Sequence, residues 1–174
     1  VSINGYEKIN EIPYDFIRKR LSVAVKNNGQ RFFIVKGAFS NVLEVCSFVE
    51  TGNGGTAPMD EQKRSHVRDS FILYSQLGYR VLGLAYKQIQ KDKINREDEQ
   101  QMVFLGFILL EDPLKESSLS SIQRLKELHI EVKIITGDNR FAASHAAKEI
   151  GMNDFRIITG EELDKLSPEA LIVK

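Results

Sequence analysis

Two runs of β-forming residues meet at Asn27-Asn28-Gly29. Leu21, Val23 and Val25 alternate with Ser22, Ala24 and Lys26 before it, and Phe32 to Val35 follow it. An Asn-Gly pair accepts the positive φ angles of a tight hairpin loop, so this stretch fixes an antiparallel pair. Such a pair needs an apolar layer over one face. At 42% hydrophobic and 28% charged, the 174 residues can supply it within one domain or two small ones.

The remaining elements follow in order. Tyr6 to Pro13 is a strand entering Pro13-Tyr14-Asp15. After Lys36-Gly37, the residues Ala38, Val42, Val45, Cys46 and Val49 form a helical stripe. Thr51 to Ala57 is a Gly-rich loop. It is not a dinucleotide fingerprint, because it does not follow a strand and open a helix in the required way. Asp60 caps a helix whose face carries Val67, Phe71, Tyr74 and Leu77, ended by Gly78. Arg80 to Tyr86 is a strand, and Lys87 to Gln101 is a solvated surface excursion. Met102 to Leu110 is a strand, and Leu119, Ile122, Leu125 and Leu128 mark an amphipathic helix.

Glu131 to Met152 then reads as strand, polar turn and helix. Val132, Ile134 and Ile135 are the strand, and Ala142, Ala143, Ala146, Ala147 and Ile150 the helix, stopped by Gly151. Residues 103–158 are thus β-α-β-α-β, the pattern of a parallel, helix-covered sheet. Residues 1–102 are a mostly antiparallel sheet with helices. The composition shift near Gln100 to Phe104 sets the boundary between them.

The turn Thr136-Gly137-Asp138-Asn139 suits a phosphate. It offers a hydroxyl, a glycine that admits close backbone approach, and the positive end of a helix. The same residues also make an ordinary turn and helix cap.

Lysine plus arginine equals aspartate plus glutamate, at 24 each, which argues against a dedicated nucleic-acid binder. The single Cys46 allows no internal disulfide and reads as a buried, inert thiol within the helical run. No apolar run reaches the roughly 18–20 residues of a membrane span. The start lacks both Met and a signal peptide, and LSPEALIVK reads as a helix cut short, as expected of a piece of a longer protein. His66, His129 and His145 have no ligand spacing, so no histidine metal site is expected.

Six short motifs occur in order. They are Ile12-Pro13-Tyr14-Asp15, Arg18-Lys19-Arg20-Leu21-Ser22-Val23, Val35-Lys36-Gly37-Ala38, Gly78-Tyr79-Arg80-Val81-Leu82, Asp112-Pro113-Leu114-Lys115 and Thr136-Gly137-Asp138-Asn139. Together they resemble the cytoplasmic part of a P-type cation-transporting ATPase, over nearly the whole chain. The texture of IPYDFIRKRLSV and KGAFSNVLEVCS is most similar to bacterial magnesium-importing members. The resemblance implies an α/β protein. Residues 1–105 would be an incomplete nucleotide-binding (N) domain, with a mostly antiparallel sheet flanked by helices. Residues 106–174 would be a partial phosphorylation (P) domain of haloacid-dehalogenase-like type.

By that resemblance, Tyr14 covers the adenine, Lys19 and Lys36-Gly37 line the nucleotide pocket, and Arg80 reaches toward the phosphates. Thr136, Gly137 and Asp138 belong beside the phosphorylated aspartate. The physics is compatible with these roles. A ring stacks on a base for ~1–3 kcal/mol, Lys and Arg contact phosphates, and a Lys-Gly pair lets an adenosine pack on bare backbone. Tyr14 could also pack on the sheet, Arg18 and Arg20 fit a solvated basic run, and Arg80 could serve an ion pair.

The implied cofactors are ATP and Mg²⁺. The implied partners are the remaining P, A and transmembrane domains of the same polypeptide, with no nucleic acid. The implied place is the cytoplasmic side of a membrane protein. Phe39-Ser40 and Lys115 depart from the family's common Pro-Glu and Arg. No Asp-Lys-Thr-Gly-Thr and no Gly-Asp-Gly-x-Asn-Asp occurs, so this chain is expected to be inactive alone. A free-standing nucleotide-binding regulatory module is the alternative. A haloacid-dehalogenase-type phosphatase would need an Asp-x-Asp nucleophile, which is absent.

Overall fold

In the computed structural model, β2 (Arg20–Asn27) and β3 (Gln30–Ala38) pair antiparallel from Arg20↔Gly37 to Asn27↔Gln30. The loop is Asn28-Gly29, with φ of 47° and 81°, as the dipeptide demands. The structure describes residues 5–111 and 113–167.

The hairpin sits in an open seven-stranded sheet of a mixed α/β fold. The other strands are β1 (Glu7–Asp15), β4 (Cys46–Thr51), β5 (Gly55–Pro58), β6 (Arg80–Ile89) and β7 (Met102–Leu110), in the order β1-β2-β3-β6-β7-β4-β5. Antiparallel ladders join β1, β2, β3 and β6, while β4 runs parallel to β7. Helices α1 (Phe39–Glu44) and α2 (Glu61–Gln76) connect strands, and the Asp60 carboxylate accepts the Lys63 N–H at 2.8 Å as a cap for α2. Phe33, Val35, Val42 and Met102 are fully buried, and Phe39 stacks on Phe71 at 4.3 Å between centroids. On β2 the small Ser22 and Ala24 face this core, and the larger Leu21, Val23 and Val25 are only half-buried.

The chain divides into two units. The first holds the residues up to Leu73 together with Val81–Leu110. The second holds Tyr74–Arg80 and the residues from Glu111 onward. The described part of the second carries the end of α2, helices α3 (Ser118–Glu127), α4 (Arg140–Glu149) and α5 (Gly160–Leu163) and, apart from Arg80 at the start of β6, no strand residue. Gly78, at φ +89°, ends α2 there, and a Cβ on it would lie 2.6 Å from the His145 ring.

Several expectations are corrected. The helical stripe stops at Glu44, and Cys46 opens strand β4 instead. Its ladder to β7 (Cys46↔Met102, Val49↔Phe104) outweighs the local periodicity. Gly55–Pro58 is a strand paired with β4 rather than part of a loop. β7 lies in the seven-stranded sheet, so it does not begin a separate parallel one. Val132 to Ile135 and the residues before Ile158 form no strand. An extended segment becomes a strand only when a neighbour completes its hydrogen bonds, and Ile135 is 99% exposed. The helix read into LSPEALIVK and the Asp112 of its motif involve residues outside those described, namely 168–174 and 112.

Candidate functional site

At one end of the sheet, β1 ends, β2 begins and β3 ends. Asp15 builds the connection between the first two. Its carboxylate accepts the N–H groups of Ile17 at 2.8 Å and Arg18 at 3.0 Å, and its carbonyl accepts Lys19 N–H at 2.6 Å. Those backbone hydrogen bonds hold the Asp15 carboxyl below its ordinary pKa. Lys19 closes the turn at φ +52°, a left-handed conformation that costs an L-residue roughly 1–2 kcal/mol. Its carbonyl accepts the Ala38 N–H at 2.9 Å. Gly37 packs directly beneath, where a Cβ would sit 2.3 Å from the Lys19 carbonyl oxygen. That side of Gly37 is thus filled by the chain itself, not open to an adenosine.

One buried acid ties this turn down. The side chain of Glu99 is 0% exposed. It accepts hydrogen bonds from Arg18 Nη1, from Arg20 Nε at 2.7 Å and from Ser22 Oγ at 2.5 Å. Burial raises the Glu99 pKa, but the bonds from Arg18, Ser22 and Arg20 outweigh it and leave the carboxyl below its ordinary value. Arg20 also donates to the Asn41 carbonyl at 2.7 Å, and Arg18 to that of Pro13 at 3.1 Å. The loop that carries Glu99 is fastened further. Lys87 Nζ donates to the Asp98 and Gln100 carbonyls at 2.6 and 2.9 Å, and Arg96 pairs with Asp15 at 3.0 Å. The excursion from Lys87 to Gln101 is therefore not simply solvated, and Arg18 and Arg20 are not free surface cations.

The predicted residues of the first unit collect here. Tyr14 is 49% exposed and meets Phe16 edge-on at 5.3 Å. Lys19 and Lys36 are exposed, and Gly37 is buried. Lys36 lies across from Leu21 on β2 and Leu84 on β6, so the three share the face opposite Arg20, Gly37 and Gly83. Phe16 and Ile17, 86% and 89% exposed at the tip of the turn, complete an apolar rim not anticipated from sequence. Phe39, where the family pattern has Pro, is a core residue at 5% exposure, whereas Ser40 is exposed.

The other predicted residues lie in the second unit. Arg80 Nη2 donates to Asp138 Oδ1 at 3.0 Å. Thr136 Oγ1 donates to Asp138 Oδ2 at 2.9 Å and accepts the Asp138 N–H at 3.1 Å. Asn139 caps α4 by accepting the N–H groups of Phe141 and Ala142 at 3.0 and 3.1 Å. Gly137 is exposed with no heavy atom within 4 Å of where its Cβ would be, and Lys115 is exposed.

A groove of about 700 Å³ lies elsewhere in the first unit, between β4 and α2, lined by Val49, Thr51, Lys63, His66 and their neighbours. It contains none of the predicted residues. Cys46 is a buried thiol donating to the Val42 carbonyl at 3.1 Å, and burial pushes its pKa up to about 12. Among the described residues no three His, Cys, Asp or Glu side chains are grouped to hold a metal ion. No helix among them is long and apolar enough to cross a membrane.

Glu99 and Ser22 escaped the sequence reading. The available signal was Arg18, Arg20 and Ser22 at alternate positions leading into a strand. Polar groups on the inner face of a strand need a buried partner.

Comparison with known proteins gives one consistent answer. The family model described as "P-type ATPase, cytoplasmic domain N" matches residues 3–117. A magnesium-transporting ATPase, P-type 1, of Escherichia coli strain K12 is 33% identical over 169 residues, 95% of this chain. A calcium-transporting ATPase of Listeria monocytogenes is 32% identical over 165 residues, 92% of this chain. The chain spans 19% of the length of each of these relatives.

Proposed function

Because the chain belongs to the P-type ATPase family, through its cytoplasmic domain N, we propose that it holds ATP for a cation-transporting ATPase. In this reading residues 1–105 are the nucleotide-binding domain and residues 106–174 part of the phosphorylation domain. The observation that carries it is the convergence of Tyr14, Lys19 and Lys36 where β1, β2 and β3 end or begin, each with its side chain exposed.

Each residue then has a defined task. Tyr14 offers a ring face to the adenine, worth ~1–3 kcal/mol. Lys36, across from Leu21 and Leu84, offers an exposed ammonium to an anion. Lys19 adds a second ammonium from the pinned turn. Arg80, which donates to Asp138, is the cation that the family resemblance assigns to the phosphates. Mg²⁺ accompanying the nucleotide would supply charge neutralisation at its phosphates. Thr136, Gly137 and Asp138 serve the phosphoryl-transfer centre, whose accepting aspartate lies outside these 174 residues. The activity served is transport of a divalent cation, with magnesium the ion suggested by the sequence texture. The chain belongs to the cytoplasmic side of that membrane protein and works with the remaining P, A and transmembrane domains of the same polypeptide. That the relatives are named transport ATPases weighs against a free-standing regulatory module.

Calorimetric titration of ATP into the chain and into Lys36→Ala tests this. The expected outcome is measurable binding by the wild type and about tenfold weaker binding by the variant, the loss of one charge-assisted contact. Equal affinities would refute the assignment of Lys36.

A further inference from the structure

The run Arg18-Lys19-Arg20 is three cations in sequence but not three cations at the surface. Arg18 and Arg20 share the Glu99 carboxylate, and Asp15 lies 3.5 Å from Arg18 Nε. Around this turn the guanidiniums of Arg18, Arg20 and Arg96 face the carboxylates of Asp15, Glu44 and Glu99, and no described carboxylate pairs with Lys19. Arg18 and Arg20 flank Lys19 directly, so whatever fixes them fixes the backbone between them. That backbone is unusual: φ is +52°, and its carbonyl bonds Ala38 beside Gly37. Left-handed geometry at a lysine persists only when its surroundings impose it. Asp15 builds the turn from within, and a second group holds its two arginines from a loop about eighty residues away in sequence.

We propose that Glu99 is the positioning residue for Lys19: by neutralising and anchoring Arg18 and Arg20 from beneath, it holds the turn that aims the Lys19 ammonium at a nucleotide's phosphates. The proposal rests on the reading that Lys19 contacts nucleotide. Glu99 itself touches no ligand. Without its carboxylate, two half-buried guanidiniums repel each other and Lys19, and the turn relaxes away from β3. Ser22 belongs to the same device, since its hydroxyl supplies the third hydrogen bond to the carboxylate.

The test is ATP titration of the wild-type chain, Glu99→Gln, Lys19→Met and the double variant, with hydrogen exchange at the Ala38 amide read in parallel. Glu99→Gln and Lys19→Met should each weaken ATP binding by about tenfold. Adding Glu99→Gln to Lys19→Met should cost less than about twofold more, because the two act through one contact. The Ala38 amide should lose protection in Glu99→Gln and keep it in Lys19→Met. A purely structural role predicts the opposite: either wild-type affinity in Glu99→Gln, or the same loss with and without Lys19. Either result, or an Ala38 amide still protected in Glu99→Gln, overturns the proposal. If Glu99→Gln fails to fold, Ser22→Ala replaces it, with about a threefold loss expected that disappears in the Lys19→Met background. Wild type that binds no ATP overturns the nucleotide reading and this role with it. Wild type that binds, with variants that bind equally well, overturns the role alone.

Discussion

Two polar turns, one in each unit, are both built on side-chain oxygens that accept backbone N–H groups, and they are held very differently. In the first unit, the turn from Asp15 to Arg20 rests on Glu99, whose side chain is 0% exposed and carries three charged or hydroxyl donors. In the second, Thr136 to Asn139 is held by Thr136, Asp138 and Arg80, with Asp138 39% and Arg80 62% exposed. An ion pair under low dielectric is strong once formed and costly to break, whereas an exposed one is screened and nearly neutral. The first turn is therefore a fixed platform. The second rests on an exposed pair, Arg80 with Asp138, that solvent screens.

The largest break in that contrast is Glu99→Ala. It takes the shared carboxylate from two half-buried guanidiniums, leaving Arg18 only Asp15 at 3.5 Å and Arg20 only Glu44 at 4.0 Å, and should cost up to about 3–5 kcal/mol, measured by urea unfolding. That is a large share of a domain's usual stability. The acid dependence follows the same group. The Glu99 carboxyl lies below its ordinary value when folded, so its contribution is fully present above the unfolded glutamate pKa. It fades as pH falls through the lower folded value, and Glu99→Gln should flatten that part of the stability profile.

Gly37→Ala comes next. Its Cβ would lie 2.3 Å from the Lys19 carbonyl and 2.6 Å from Arg20 Cα, both backbone atoms. Overpacking of this kind should cost about 1–3 kcal/mol and loosen the Ala38 amide in hydrogen exchange. The smallest effect belongs to Asp138→Asn, where an exposed pair is lost. A shift of about 0–1 kcal/mol, shrinking with added salt, sharpens the contrast, and one comparable to Glu99→Ala would erase it.

The contrast also explains how much was legible in the sequence. The hairpin at Asn28-Gly29, the Asp60 cap and the end of α2 at Gly78 are local, and local chemistry fixes them. What needed a partner from elsewhere was not. Cys46 to Val49 reads as helix until β7 is seen beside it. Val132 to Ile135 reads as strand, and no described neighbour completes it. Glu99 sits in a charge-rich stretch that resembles any solvated loop, and only the fold brings it to Arg18, Arg20 and Ser22. The candidate residues were found through motif order, since composition carried no trace of them. The buried support beneath Lys19 could not be found that way.

In the proposed function, the strand ends of the first unit hold the nucleotide. Amide NMR of the isotope-labelled chain during ATP titration tests it most directly. The predicted result is a cluster of shifts at Tyr14, Lys19, Lys36, Gly37 and their neighbours, saturating together. Shifts gathered instead around the groove at Val49, Lys63 and His66, or none at millimolar ATP, would contradict it.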